Sequence, residues 1–214
     1  FSLTEEQQLI IQTTRDFVVN ELYPHEAEVE ATGVLRPELR DAIKAKAIEA
    51  GLYAANMPAE VGGAGLDTLT WLLYERELGR ANYALHWTCV ARPSNILMAC
   101  KGEQRERYLL PAVRGERSDC MAMTEPGIGS DVRGMKCSAV RDGDDYVVNG
   151  SKIWSSGAHH SKLGILIART DPDQPKHKGI SYFICPMDAP GVEIRPIIEM
   201  TGAHTFNEVR SEER

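Results

Sequence analysis

The 214-residue sequence predicts an α+β protein, with an N-terminal all-α helical bundle followed by an antiparallel β-barrel or sandwich. Three observations predict it. From Thr4 to about Gly115, apolar residues recur at intervals of three and four, the period of an amphipathic helix. Beyond Ser118 they fall into short runs rich in β-branched and aromatic residues, punctuated by Gly, Pro, Asn and Asp. Those runs are closely spaced with no helical stretch between them, which favours antiparallel pairing over a doubly wound sheet. The change of period predicts a helical domain over 1–116 and a β domain over 117–214.

Thr4 and Gln7 form a candidate capping box, after which Leu9, Ile10, Phe17, Val18 and Leu22 line one stripe up to Pro24. Pro37 suits the first turn of a second helix that turns Leu39, Ile43 and Ala47 inward and stops at Gly51. Asp67 caps a third, which carries Leu69, Leu72, Leu73 and Leu78 as far as Gly79. A fourth helix is expected over 81–100, bent at Pro93, and a fifth over 104–113. These five are expected to pack as an antiparallel bundle. In the second half, 136–141 and 146–149 flank Asp142-Gly143-Asp144-Asp145 as a hairpin. Further strands are expected at 152–155, 163–170, 180–186 and 192–196, with a solvent-exposed polar loop at 171–178.

The charge balance of 31 acidic against 24 basic residues, a formal net charge of −7, offers no broad basic field for nucleic acid. Any anionic ligand must then be held locally. The longest purely aliphatic run, 163–168, is far short of the roughly 20 residues a membrane span needs, and the polar start does not read as a signal peptide. Cys89, Cys100, Cys120, Cys137 and Cys185 are odd in number with no Cys-x-x-Cys pair, which argues for a reducing compartment and buried, chemically idle thiols.

The most unusual stretch is Met121-Ala122-Met123-Thr124-Glu125-Pro126-Gly127-Ile128-Gly129-Ser130-Asp131, which leaves a strand and becomes a glycine-rich loop. Gly127 and Gly129 raise no side-chain barrier, so backbone N–H groups can approach a planar or anionic ligand. On composition alone, an ordinary tight connection is an equally good reading. Two phosphate signatures fail here. The third glycine of Gly-x-Gly-x-x-Gly is missing, and Met135-Lys136 stands where a P-loop has Lys-Ser/Thr. His159-His160 suggests a metal, but neighbours on a strand point to opposite faces and no third ligand lies nearby. Glu125 is a tempting catalytic base. Trp154 read alone belongs in a core, and Arg105, Arg107, Arg114 and Arg117 read as a solvated helix face.

Taken together, four segments resemble the N-terminal and middle domains of an acyl-CoA dehydrogenase. They are Pro58-Ala59-Glu60-Val61-Gly62-Gly63-Ala64-Gly65-Leu66-Asp67, the stretch from Gly102-Glu103-Gln104 to Tyr108-Leu109-Leu110-Pro111, Met123-Thr124-Glu125-Pro126 with Gly129-Ser130-Asp131, and Asn149-Gly150-Ser151-Lys152-Ile153-Trp154. The resemblance implies an FAD-dependent oxidoreductase that converts an acyl-CoA thioester to its trans-2-enoyl form, a glutamate taking the α-proton and the flavin the β-hydrogen. Electrons would pass to an electron-transfer flavoprotein. It further implies a flavin lined by Met121, Ala122, Met123, Thr124, Glu125, Pro126, Gly127, Ile128, Gly129 and Ser130, with Thr124 on the polar ring edge and Ser130 also facing acyl-CoA. Trp154, Ser155 and Ser156 complete the set, with the Trp154 indole on the isoalloxazine. Ser156 stands where the family usually has a threonine, and Glu125 becomes scaffold. The family's catalytic glutamate belongs to a C-terminal helical domain, and the match breaks in the tail Arg210-Ser211-Glu212-Glu213-Arg214. The 214 residues alone are therefore expected to be inactive. A full-length protein is expected to be a homodimer or homotetramer, located in the cytoplasm or, in a eukaryote, the mitochondrial matrix. An acyl-CoA oxidase-like relative and a non-catalytic binding or assembly subunit are the alternatives.

Overall fold

The helical period is realised as a succession of helices between residues 5 and 113 in a computed structural model that describes residues 2–211. The chain divides into two units at the Glu116–Arg117 junction. In the first, Thr4 caps α1 (Glu5–Phe17) through a complete capping box, the Gln7 N–H donating to Thr4 Oγ1 at 3.2 Å and the Thr4 N–H to Gln7 Oε1 at 3.1 Å. Pro24 does not end the helical path. The backbone widens into a π turn (Val18–Leu22), and α2 (Tyr23–Thr32) starts with the proline in its first turn, where a missing N–H costs nothing. Phe17, Val18 and Leu22 are buried, whereas Leu9 is exposed.

α3 (Pro37–Glu49) buries Ile43 and Ala47. α4 (Thr68–Leu78) is capped by Asp67, whose carboxylate accepts the N–H groups of Leu69 and Thr70. Its buried face carries Thr70, Tyr74, Glu77 and Leu78, while Leu69 and Leu72 are more than half exposed. The polar links Arg15–Glu77 at 3.0 Å and Gln7–Thr70 at 3.4 Å choose the face that meets α1, and the leucines turn away. The single helix expected over 81–100 is two pieces: α5 (Tyr83–Cys89) and a 3₁₀ turn (Asn95–Ala99). Pro93 separates them, and the carbonyls of Ala91 and Pro93 instead accept the Ala54 N–H and the Asn56 side-chain amide. The last expected helix is a π turn (Arg105–Leu109) followed by α6 (Leu110–Val113), again with a proline, Pro111, in the first turn.

The second unit is a curled sheet of β1 (Asp119–Ala122), β2 (Ser138–Asp142), β3 (Asp145–Lys152), β4 (Leu163–Arg169), β5 (Ile180–Pro186), β6 (Val192–Ile197) and β7 (Phe206–Ser211). The strand order is β1-β4-β2-β3-β7-β6, with β5 also on β4. It is mixed rather than wholly antiparallel, because β1 runs parallel to β4, Asp119 opposite Leu163 and Ala122 opposite Leu166. A parallel pair needs a long crossover, and the β2–β3 hairpin with its flanking loops supplies it where a helix usually would. β3 takes in the expected strand 146–149 and ends at Lys152, so the strand expected over 152–155 does not form. Beyond it the backbone leaves the sheet, Trp154 taking a positive φ of 61°. β7 lies past the strands read from apolar runs, and residues 212–214 of the tail fall outside the described residues.

Two small-residue cores, Ala122 with Cys137, Ala139, Leu166 and Ala168, and Cys120 with Ala158, Met187 and Val209, fill the curl. Among the described residues no helix is long and apolar enough to cross a membrane.

Candidate functional site

β1 alternates, so Cys120 and Ala122 enter the core while Met121 stands outside, 39% exposed. The glycine-rich loop that follows is pinched by a two-way bridge: the Glu125 N–H donates to the Ile128 carbonyl at 3.2 Å, and the Ile128 N–H returns a bond to the Glu125 carbonyl at 3.0 Å. This turns Pro126 and Gly127 outward and the Glu125 carboxylate inward. There the carboxylate accepts the N–H of Lys136 at 2.7 Å, the N–H of Cys137 at 2.9 Å and the ammonium of Lys152 at 2.9 Å. Lys152, itself 1% exposed, also donates to the Met123 carbonyl at 3.2 Å. Burial works against ionising Glu125, but those two N–H groups and the ammonium outweigh it and hold the carboxyl below its usual range. A carboxylate so occupied has little capacity left to take a substrate proton.

The same contacts join the loop to the end of β3. The Ile153 N–H donates to the Thr124 carbonyl at 2.8 Å, which brings 123–125 beside 152–154. Trp154 follows, in a left-handed backbone and 53% exposed. That conformation costs a bulky residue about 1–2 kcal/mol, yet about half of the side chain stays open to solvent. What contact it has is edge-on to Phe206, with ring centroids 5.8 Å apart and planes at 88°. Ser155 is buried against β7, its N–H donating to the Asn207 carbonyl at 3.0 Å, and the Gly157 N–H donates to Thr205 at 2.9 Å. The indole is thereby left partly open to solvent.

Neither glycine of the loop is demanded by the protein's own packing. A Cβ at Gly127 or Gly129 would meet nothing within 4 Å, and neither has a positive φ. Gly150 is the contrast. Its φ of 154° and the Cys137 Cβ only 2.7 Å from an added methyl explain it structurally. Room at 127 and 129 is left for a group approaching from outside, so the residues present fit a planar cofactor laid against the loop and Trp154.

Met121, Met123, Thr124, Gly127 and Gly129 are wholly or partly accessible, as are Pro126, Ile128 and Ser130. Ala122 turns its methyl into the core, leaving only its backbone for a ligand. Ser155 is likewise inward, and its Oγ is buried with no hydrogen-bond partner among the described residues. Ser156 is half-buried. The two histidines do not straddle a strand; they occupy a 3₁₀ turn (Ala158–His160) with rings 3.9 Å apart. His159 also stacks on His204 at 3.9 Å and 16°, a geometry in which the two rings cannot aim in-plane nitrogens at one metal. Burial, then the neighbouring His160 and His204, push the His159 pKa down to about 4. No group of three metal-ligating side chains occurs among the described residues. Lys152, Phe206 and Asn207 were not singled out for any role by the sequence. Lys152 lies in the Asn149–Trp154 segment of the resemblance, and Phe206 and Asn207 open a short β-rich run.

Comparison with known proteins gives a consistent result. Residues 4–116 match the family description "Acyl-CoA dehydrogenase, N-terminal domain" and residues 120–212 match "Acyl-CoA dehydrogenase, middle domain". The chain is 39% identical over 191 residues to the acyl-CoA dehydrogenase FadE34 of Mycobacterium tuberculosis, covering 82% of this chain and 26% of that protein. It is 34% identical over 200 residues to the human mitochondrial short-chain specific acyl-CoA dehydrogenase, covering 90% and 46%. Among solved structures, the glutaryl-CoA dehydrogenase of Mycobacterium smegmatis in complex with FADH2 superposes with a TM-score of 0.81 at 26% identity, covering 99% of this chain and 53% of that one. The chain thus spans about half, or less, of the length of the relatives it matches.

Proposed function

The chain belongs to the acyl-CoA dehydrogenase family, and from that premise we propose that its β unit holds FAD as part of an enzyme that oxidises acyl-CoA thioesters at the α,β bond. One observation carries the reading: the exposed indole of Trp154, held in a costly left-handed backbone beside a loop whose glycines open outward. Bound there, FAD would accept the hydrogen that leaves the β-carbon. The protein's residues have the other tasks. Trp154 packs on the ring, and Met121 and Met123 flank it. Thr124 and the backbone N–H groups of the loop address its polar edge, and Ser156 offers a hydroxyl next to the indole. Ser130 faces the thioester. Together they exclude water and fix the ring against the acyl chain, which is where orientation lowers a barrier.

Glu125 is scaffold in this reading, and the α-proton goes to a glutamate supplied from beyond these residues. An electron-transfer flavoprotein is the proposed acceptor, and a homo-oligomer the proposed assembly. The test is anaerobic titration of the full-length flavoprotein with acyl-CoA esters of graded length. Bleaching of the flavin absorbance is expected with at least one ester, and no bleaching with any of them overturns the reading. Peroxide yield compared with transfer to an electron-transfer flavoprotein then decides the acceptor.

A further inference from the structure

We propose that Asn207 is a positioning residue for the flavin face, acting through Ser155 to set the backbone and thus the ring orientation of Trp154. The inference rests on the flavin reading above but concerns a residue to which that reading gives no role. Asn207 is fully buried. Its carbonyl accepts the Ser155 N–H at 3.0 Å, and its side-chain Nδ2 donates back to the Ser155 carbonyl at 3.1 Å, so one residue grips both backbone polar groups of Ser155, the residue after Trp154. The remaining Nδ2 hydrogen goes to His159 Nδ1 at 3.0 Å, and Oδ1 pairs with His204 Nε2 at 2.8 Å.

These partners fix the amide orientation. Two acceptors lie on the Nδ2 side, which places the oxygen toward His204 and requires that nitrogen to donate; His159 must then be neutral with its proton on Nε2. The demand is for two donors and one acceptor on a short planar group, which only asparagine meets. Phe206, one residue earlier, adds the edge-on contact to the indole. The Phe206-Asn207 pair therefore holds Trp154 by its ring and by the backbone of the residue that follows it, although neither residue belongs to the glycine-rich loop or to the Trp154–Ser156 stretch. Without the grip on Ser155, a left-handed tryptophan would relax toward an ordinary backbone and swing its indole away.

The experiment compares the full-length flavoprotein with its Asn207→Asp and Asn207→Ala variants. It reads the fluorescence of bound FAD, the FAD dissociation constant and the unfolding midpoint of the flavin-free protein. Asp is isosteric and keeps the acceptor toward His204 but loses both donors, so it decides the matter if the alanine variant does not fold. A tryptophan stacked on a flavin quenches its emission. The expected result is brighter bound flavin and a dissociation constant raised about tenfold in Asn207→Asp. A purely structural role would lower the unfolding midpoint and leave the emission of bound flavin unchanged. Folded Asn207→Asp with wild-type emission and affinity overturns the proposal while leaving the functional reading intact. A wild-type protein that binds no flavin overturns both.

Discussion

Glu125 and Trp154 show what a residue's identity says and what its surroundings add. A glutamate in a glycine-rich loop invites the role of base, yet here its lone pairs are spent on Lys136, Cys137 and Lys152. Replacing Lys152 with Met leaves that buried carboxylate short of its cation and should cost about 3 kcal/mol in denaturant unfolding, with the Lys152→Met/Glu125→Gln double variant losing less than the sum. In contrast, Gly127→Ala and Gly129→Ala should change flavin-free stability by less than about 0.5 kcal/mol, because no atom lies where the methyl would go. Both should weaken FAD binding about tenfold in equilibrium titration, since the methyl would occupy the ligand's space. His159 sets a pH dependence. Unfolded it titrates near 6.5 and folded near 4, so between those values the unfolded chain binds the extra proton and stability falls as the pH drops. His159→Gln should flatten that part of the stability profile from pH 7 to 4, measured by urea unfolding.

Among the elements, two prolines sit in the same local structure. Pro24 reads as a helix boundary and Pro111 falls inside the expected helix 104–113, yet in both places a π turn (Val18–Leu22, Arg105–Leu109) precedes the proline and the helical path continues. Widening the turn removes the demand for the absent N–H, which a rule based on α-helical spacing does not foresee. Pro93 does break its helix, because nearby carbonyls find partners elsewhere, at Ala54 and Asn56. In the sheet, β3 depends on Gly150, where a side chain would need a φ of 154° and would crowd the Cys137 Cβ at 2.7 Å. Gly150→Ala should therefore cost about 2–4 kcal/mol, read as a lowered denaturation midpoint. Leu69 and Leu72 were expected inside by period alone, but α4 turns to α1 the face that lets Glu77 meet Arg15.

For the whole molecule, the chain's coverage of half or less of its relatives makes the activity a property to be tested on the longer protein. If the base comes from beyond these residues, the 214-residue chain loaded with FAD should show no bleaching on anaerobic addition of an acyl-CoA that bleaches the full-length protein. The succession of helices and then strands was legible because apolar periods of 3.6 and 2 are local properties of a chain. So was the family, through short stretches whose order and spacing are themselves sequence. Folding decided the rest: that β1 lies parallel to β4, that Ala122 and Ser155 face inward, that Glu125 is neutralised by Lys152, and that Asn207 grips the backbone of Ser155. Each of these joins residues dozens of positions apart, Asn207 and Ser155 being 52 apart. Hydrogen bonding and burial act on distance in space, and no local period encodes it.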